Sequence, residues 1–126
     1  MKILLVDDER INTLSASLLL GKEGYDVTTA VNGQQALDLL HENEFDCILM
    51  DIQMPVMNGL EASAKIRDES VFGEKAKTPI IAITGHTFED SKNDFKKAEI
   101  EFFVSKPFDI ENLLQVIKQA TSGHKD

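Results

Sequence analysis

The sequence is short of cysteine, of basic residues and of long apolar runs, and each shortage excludes a class of protein. Its single cysteine, Cys47, rules out a disulfide within the chain and is typical of a reducing cytoplasm. Only 13 Lys and Arg stand against 22 Asp and Glu, and the net charge of −9 disfavours binding to nucleic acid or to an anionic membrane. We therefore expect a cytoplasmic protein whose partners are other proteins.

No apolar run approaches the roughly 18 residues that a membrane-spanning helix needs. The N-terminal run over residues 1–6 is too short for a signal peptide, and Asp7 and Asp8 end it without a small-residue cleavage site. Hydrophobic residues nevertheless make up 42% of the chain, which is enough for a folded core. The length of 126 residues predicts a single domain over residues 1–126.

Segments of strand type alternate with segments of helical pattern along the chain. Strands are predicted over residues 2–6, 25–30, 46–50, 79–83 and 101–104. Helices are predicted over residues 11–21, 32–42, 58–67, 87–98 and 109–120, and residues 68–78 form a long polar connection. This alternation predicts a parallel sheet that helices cover on both faces through right-handed crossovers.

The predicted helices carry apolar residues at steps of three and four, the spacing of a helix that packs against a sheet. The second helix begins with Asn32 as its predicted N-cap, and Gln35 reaches back three residues later. The first and last helices show the spacing at Ile11, Leu14, Leu18 and Leu19, and at Ile110, Leu113, Leu114, Ile117 and Ala120. We expect these apolar positions to face the sheet.

Residues with polar chemistry follow the ends of four predicted strands. Asp7 and Asp8 follow the first strand, Asp51 the third and Thr84 the fourth, while Lys106 comes shortly after the fifth. Parallel strands bring their carboxyl ends to one edge of the sheet, where open α/β sheets bind ligands. Taken singly, each residue also suits a turn, a helix cap or a solvated surface. Their joint placement favours a functional site.

Three carboxylates at one edge of a sheet repel each other strongly. Each pair costs about 4 kcal/mol at a separation of about 4 Å and an effective dielectric near 20. Such a cluster either raises a carboxyl pKa or binds a cation. Its ligands are oxygen atoms without histidine or cysteine, a donor set that favours Mg²⁺.

Four sequence motifs surround these residues: VDDE at residues 6–9, MDIQMPVMNG at 50–59, ITG at 83–85 and SKPF at 105–108. With these motifs the chain resembles the receiver domains of two-component response regulators, the CheY-like family, over essentially its whole length. The wording is most similar to receivers of hybrid sensor histidine kinases. The resemblance implies a doubly wound α/β fold, with five parallel strands in the order 2-1-3-4-5 and five flanking helices.

The resemblance also implies a phosphoacceptor and a metal site. Asp51 would accept a phosphoryl group from a histidine kinase or a histidine phosphotransfer protein, with kinase modules in the same polypeptide as further partners. Asp8 and Asp51 would bind Mg²⁺ directly, together with the backbone carbonyl of Gln53, and Asp7 would bind it through a water. The chain would act as a phosphoacceptor that catalyses only its own phosphotransfer and dephosphorylation.

Further residues take roles from the same resemblance. Thr84 would donate a hydrogen bond to a phosphoryl oxygen, and Lys106 would neutralise the phosphoryl charge. Phe103, three residues before the lysine, would turn inward as the switch, although a plain core phenylalanine remains open. Gln53 and His86 would tune the lifetime of the phosphate. Output is expected through the helix over residues 87–98, the fifth strand and the last helix.

Three other functions share parts of this pattern. A phosphatase of the haloacid dehalogenase type also uses a strand-end aspartate, but it needs a second acid where Gln53 stands. A flavodoxin-like protein would bind a flavin phosphate after the first strand, where Asp7 and Asp8 would repel it. A degenerate receiver would act only as a binding module, yet every motif position that phosphorylation needs is occupied.

Overall fold

The structure, a computed structural model, describes residues 1–52, 59–84, 99–100, 102–105 and 109–122. Five strands form one sheet: β1 (Lys2–Val6), β2 (Asp26–Ala30), β3 (Cys47–Asp51), β4 (Ile80–Thr84) and β5 (Phe102–Ser105). All strand pairs are parallel, and the order across the sheet is β2-β1-β3-β4-β5. The predicted sheet and its strand order are confirmed.

Five α-helices lie within the described part of the chain: α1 (Arg10–Lys22), α2 (Gly33–Glu42), α3 (Gly59–Ile66), α4 (Glu69–Phe72) and α5 (Ile110–Ser122). Four of them match predicted helices, and the predicted helix over residues 87–98 lies outside the described residues. None of these helices has the length and apolar character that crossing a membrane requires.

The central strands are buried on both faces, so their alternating side chains feed two separate cores. On one face, α1 and α5 cover side chains such as Ile3, Leu49 and Ile81. On the other face, α2, α3 and α4 cover side chains such as Leu4 and Met50. Because helices cover both faces, side chains from several elements meet at the ends of the central strands.

Helix α1 is present where it was predicted, but the prediction of its buried face was wrong. Ile11, Leu14, Leu18 and Leu19 are 80%, 64%, 61% and 40% exposed. The helix packs on the sheet through the side chains of Thr13, Ala16 and Leu20. Apolar side chains project from several sides of this helix, so their spacing alone did not identify the face that packs on the sheet. The small side chains of Thr13 and Ala16 allow the helix to approach the sheet closely.

The predicted cap of α2 is confirmed, and the predicted start of α5 near Asp109 also carries a side-chain cap. The Asn32 side chain accepts a hydrogen bond from the Gln35 backbone N–H at 2.8 Å. Gln35 reaches back as expected, although its Oε1 accepts from the Val31 N–H at 2.7 Å, one residue before the cap. At α5, Asp109 Oδ1 accepts from the Asn112 N–H at 3.0 Å. Leu113, Ile117 and Ala120 are buried, while Ile110 and Leu114 are half-buried against the same core.

Residues 68–78, predicted as a long polar connection, contain α4 and a 3-10 helix (Gly73–Lys77), neither of which was predicted. The Phe72 ring is buried and stacks on His41 of α2, with ring centroids 4.4 Å apart. Lys75 Nζ donates to the carbonyl oxygens of Leu40 and His41 at 2.8 and 3.2 Å. Phe72 and Lys75 thus fix the segment against the end of α2. The polar composition of residues 68–78 gave no indication of these two contacts.

Candidate functional site

The carboxyl edge of the sheet brings together residues that are distant in sequence. Asp7 follows β1 directly, and its N–H donates to the Ala30 carbonyl of β2 at 3.1 Å. Asp51 ends β3 in register with Ile83 of β4. Thr84 is the last residue of β4. Parallel pairing therefore fixes the carboxylates of β1 and β3 and the hydroxyl of β4 on one rim.

Three carboxylates meet at this rim. One carboxylate oxygen from each of Asp7, Asp8 and Asp51 lies within 4.8 Å of the other two. Asp7 and Asp51 are buried, and Asp8 is exposed. When all three groups are ionised, each pair repels by about 3 to 4 kcal/mol at an effective dielectric near 20. An all-oxygen donor set of this charge, open to solvent on one side, suits a hydrated divalent cation such as Mg²⁺.

Asp7 also has a local structural role. Its Oδ1 accepts a hydrogen bond from the Glu9 backbone N–H at 2.9 Å, so the side chain closes the turn that leads into α1. This bond orients the carboxylate while one of its oxygens still faces Asp8 and Asp51. The turn and the metal-site interpretations of Asp7, both open from sequence, are therefore compatible.

The remaining predicted site residues divide between described and undescribed positions. Thr84 is buried and pairs in register with Ser105 of β5, the residue before Lys106 in the sequence. Lys106, Gln53 and His86 lie outside the described residues.

Phe103 and Phe102 occupy opposite faces of β5. Phe103 is half-buried against the core beneath α2 and α3, whereas Phe102 packs on the core beneath α1 and α5. This separation follows from the alternation of side chains along a strand. Phe103 shares its face with Met50, the residue before Asp51, so it packs in the core that supports the carboxylate edge.

Helix α3 begins directly against the backbone that carries Asp51. The Gly59 N–H donates to the Ile52 carbonyl at 3.1 Å. A Cβ atom on Gly59 would overlap the Asp51 carbonyl oxygen and would lie 2.9 Å from both the Asp51 carbonyl carbon and Ile52 Cα. The sequence predicted this glycine as a helix start and as the end of the motif over residues 50–59, but it did not predict the contact with the Asp51 backbone. The signal available was a glycine beside a proline-containing loop, immediately after the strand that ends in Asp51.

The family model for the response regulator receiver domain matches residues 3–118. The chain belongs to this family. It is a receiver domain of two-component signalling systems. The family match and the similar solved structures confirm the resemblance, the fold and the general function that the motifs implied. The phosphatase and degenerate-receiver alternatives are not favoured.

Curated relatives of this receiver domain include both large kinases and small regulators. Hybrid signal transduction histidine kinase I of Dictyostelium discoideum is 40% identical over 121 residues, which are 92% of this chain and 7% of that protein. The polar-differentiation response regulator DivK of Brucella anthropi is 31% identical over 116 residues, 92% of each chain. The chain spans 7 to 15% of the length of the first curated histidine kinases that it matches.

Solved structures of receiver domains superpose closely. Chemotaxis protein CheY4 of Vibrio cholerae gives a TM-score of 0.87 at 34% identity, over 94% of this chain and 97% of that one. The receiver domain of a sensor histidine kinase from Pseudomonas aeruginosa gives 0.86 at 29% identity, over 96% and 97%. That second structure has a magnesium ion coordinated in its active site cleft.

The one cysteine of the receiver domain lies in β3, four residues before Asp51. Cys47 is fully buried, and burial together with the charge of Asp46 raises the pKa of its thiol from 9.0 to about 12, against a smaller lowering by the Ile48 backbone. The thiol is therefore neutral at physiological pH and packs as a small apolar group.

Proposed function

We propose that this receiver domain, as a single unit over residues 1–126, accepts a phosphoryl group on Asp51. The donor would be a phosphohistidine on a histidine kinase or on a histidine phosphotransfer protein. The observation that carries the proposal is the convergence of Asp7, Asp8 and Asp51, with carboxylate oxygens within 4.8 Å, at the strand ends of a receiver fold. A reducing, cytoplasmic setting is part of the same proposal.

The transfer moves one phosphoryl group between two nucleophiles. A carboxylate oxygen of Asp51 forms a bond to phosphorus as the bond from phosphorus to the donor histidine nitrogen breaks, and that nitrogen then takes a proton from water. The transition state is loose and highly charged, so positioning and charge neutralisation dominate its catalysis. Asp8 and Asp51 would hold Mg²⁺ directly with the Gln53 carbonyl, and Asp7 would hold it through water; the bound ion would supply charge neutralisation.

Other residues would recognise the phosphoryl group and report its presence. The Thr84 hydroxyl would donate to a phosphoryl oxygen, and the Lys106 ammonium would pair with its charge. Phe103, half-buried in the core beneath α2 and α3, would repack when Thr84 moves. Gln53 and His86 would set the lifetime of the acyl phosphate. Output would pass through β5, α5 and the predicted helix over residues 87–98.

The exposed face of α1 supports the proposal that a partner docks there through a helix. Ile11, Leu14 and Leu18, hereafter the α1 stripe, are each more than half exposed, at the spacing that packs against another helix. Helix α1 contains no acidic residue, although the protein carries a net charge of −9. Helix α1 begins two residues after Asp8, so a helical partner docked on the α1 stripe would present its phosphohistidine near the carboxylate edge.

The relation to hybrid kinases supports a partner within the same polypeptide. Several curated relatives are histidine kinases in which the matching segment forms a small fraction of the protein. Kinase modules in cis would therefore be one source of phosphoryl groups. The acidic charge still disfavours nucleic acid or membrane contacts by this domain alone.

Labelling with radioactive acetyl phosphate tests the phosphoacceptor. We expect wild-type protein to incorporate label in Mg²⁺, and Asp51→Asn or a chelator to abolish incorporation, because the nucleophile or the neutralising charge is then missing. Asp26→Asn is the matched control, since Asp26 is an exposed aspartate at the start of β2, at the other edge of the sheet. Wild-type labelling of Asp51→Asn would overturn the assignment.

A further inference from the structure

Gly59 makes a contact that no other residue type could make without a shift of the backbone. The atoms that a Cβ would meet are the carbonyl group of Asp51 and the Cα of Ile52, all of them backbone. A flexible side chain can swing away from an intruding methyl group, but a strand backbone moves only with its neighbours. The absence of a side chain at Gly59 is therefore a steric requirement of this close approach.

Neither partner in this contact is free to retreat. Helix α3 is anchored downstream, because Ala62, Ser63 and Ile66 are fully buried against the core. On its other side, the Ile52 N–H donates to the Ile83 carbonyl of β4 at 3.1 Å. The Asp51–Ile52 peptide is thus held between β4 and the first residue of α3.

We infer that Gly59 is a positioning residue for the phosphoacceptor. By letting α3 close onto the Asp51 backbone, it fixes the strand end from which the Asp51 carboxylate meets Asp7 and Asp8. The inference rests on the proposed function for its consequence in phosphorylation. Its consequence for the carboxylate cluster can be measured with Mg²⁺ alone.

The first test is Gly59→Ala, with Gly21→Ala as the matched control. The same methyl group at Gly21, in α1, meets no atom within 4 Å. We expect Gly59→Ala to weaken Mg²⁺ binding in an NMR titration about tenfold or more and to slow acetyl phosphate labelling about 10- to 100-fold, as for a misplaced reacting group. Gly21→Ala should match wild type in both measurements.

A loss of stability alone must be separated from misplacement of Asp51. Ile66→Val removes one buried methylene group from α3, and it should lower stability by about 1 kcal/mol while leaving Mg²⁺ affinity unchanged. Gly59→Ala is also made in the Gly21→Ala background, where better helix propensity in α1 helps to keep the protein folded. If folded Gly59→Ala binds Mg²⁺ and labels as the controls do, the inference is wrong.

A second measurement needs no substitution. If Gly59 and Asp51 are coupled, Mg²⁺ binding at the cluster must stabilise the Gly59–Ile52 hydrogen bond in return. Hydrogen exchange of the Gly59 amide in wild type should then slow on saturation with Mg²⁺ by a factor several-fold larger than that of the Leu40 amide of α2, which reports the overall gain in stability. Unchanged Gly59 exchange at saturation would contradict the coupling.

The outcomes distinguish the two proposals. A wild-type protein that binds Mg²⁺ but takes no label would refute the proposed function, and the Mg²⁺ titrations would still decide the role of Gly59. A wild type that labels on Asp51, with a folded Gly59→Ala variant that is equally active, would refute only the positioning role.

Discussion

At the scale of single residues, the electrostatic environment of Asp51 is set by side chains from a distant part of the sequence. An aspartate after a buried strand is most often a turn residue. Here the chain after β1 brings carboxylate oxygens of Asp7 and Asp8 to within 4.8 Å of that of Asp51, and the burial of Asp7 and Asp51 removes much of the water that would screen the charges of these two groups. Asp26, an exposed aspartate, does not belong to a cluster of three acidic residues in the described part of the chain.

Cys47 gives a prediction at the same scale. Its raised pKa of about 12 and its burial predict that Ellman's reagent at pH 8 reacts with the native thiol at least about 100-fold more slowly than with the urea-unfolded chain. Equal rates in the two states would contradict a buried, protonated thiol. The measurement is the absorbance of the released thiolate with time.

The sign of the accompanying pH dependence follows from the same pKa. The unfolded thiol ionises near 9.0, while the native thiol stays protonated until about 12. Unfolding therefore releases a proton between these values, and this contribution to stability, complete below about pH 9, is lost as the pH rises towards 12. Cys47→Ala should reduce the slope of unfolding free energy against pH in that window.

At the scale of secondary structure, α1 shows how tertiary packing selects one face of an ambiguous helix. The helix buries Thr13, Ala16 and Leu20, whereas the large aliphatic side chains of the α1 stripe remain exposed to water. Exposing three large aliphatic side chains in a row forgoes favourable burial, about 1.5 to 3 kcal/mol for each side chain if fully buried. We interpret this row as the contact surface for the proposed partner.

Leu14→Ser tests the α1 stripe. We expect it to slow phosphotransfer from a cognate phosphotransfer protein by about 10-fold or more, because a central apolar contact is lost. Labelling by acetyl phosphate, which needs no docking surface, should stay at the wild-type rate. The measurement is the rate of each transfer under the same Mg²⁺ concentration.

Val71→Ser provides the control for this test. Val71 is 54% exposed on α4, which belongs to the helical layer on the other face of the sheet from α1. It should leave both rates unchanged. If Leu14→Ser and Val71→Ser behave alike with the protein donor, the α1 stripe is not the docking surface.

The connection over residues 68–78 shows the opposite case, in which polar sequence hides a structural role. Arg67, at the end of α3, donates to the carbonyl oxygens of Ala76 and Thr78 at 2.7 and 2.8 Å, and to that of Glu99 at 3.0 Å. With Lys75 on the end of α2, these bonds join α3, the start of β4 and the turn before β5. Satisfying several carbonyl groups with one cation is a charge-assisted way to fix a segment that has little apolar surface.

At the scale of the whole molecule, the acidic charge and the carboxylate cluster act in the same direction. A net charge of −9 adds long-range repulsion to the three close carboxylates. We expect a divalent cation to relieve the local part of this repulsion and to bind only the folded arrangement. Stability and Mg²⁺ concentration should therefore be linked.

Asp8→Asn tests this linkage with opposite signs in two conditions. Without Mg²⁺, the variant should melt a few degrees above wild type, because one like charge leaves the cluster. On addition of Mg²⁺, the wild-type melting temperature should rise, whereas that of the variant should change little. Asp26→Asn, which makes the same charge change outside the cluster, should keep the wild-type response; an equal Mg²⁺ response in Asp8→Asn would contradict the ligand role.

The local pattern of the sequence was enough to predict the sheet and four of the helices. Strands of the β1 and β4 type are continuous apolar runs, and the Asn32 and Asp109 caps mark helix starts by side-chain chemistry that acts within a few residues. The strand-end positions of Asp7, Asp8, Asp51 and Thr84 followed from topology, because parallel strands share one carboxyl edge.

Contacts between distant segments were decided only by the tertiary structure. Three features depend on shape and distance, which the periodicity of a sequence does not encode. They are the inner face of α1, the stacking of Phe72 on His41, and the approach of Gly59 to the Asp51 backbone. The sequence by itself determined which chemical groups stand at the strand ends. Packing determined how close those groups come and which surfaces stay open to a partner, because both depend on where whole elements come to rest.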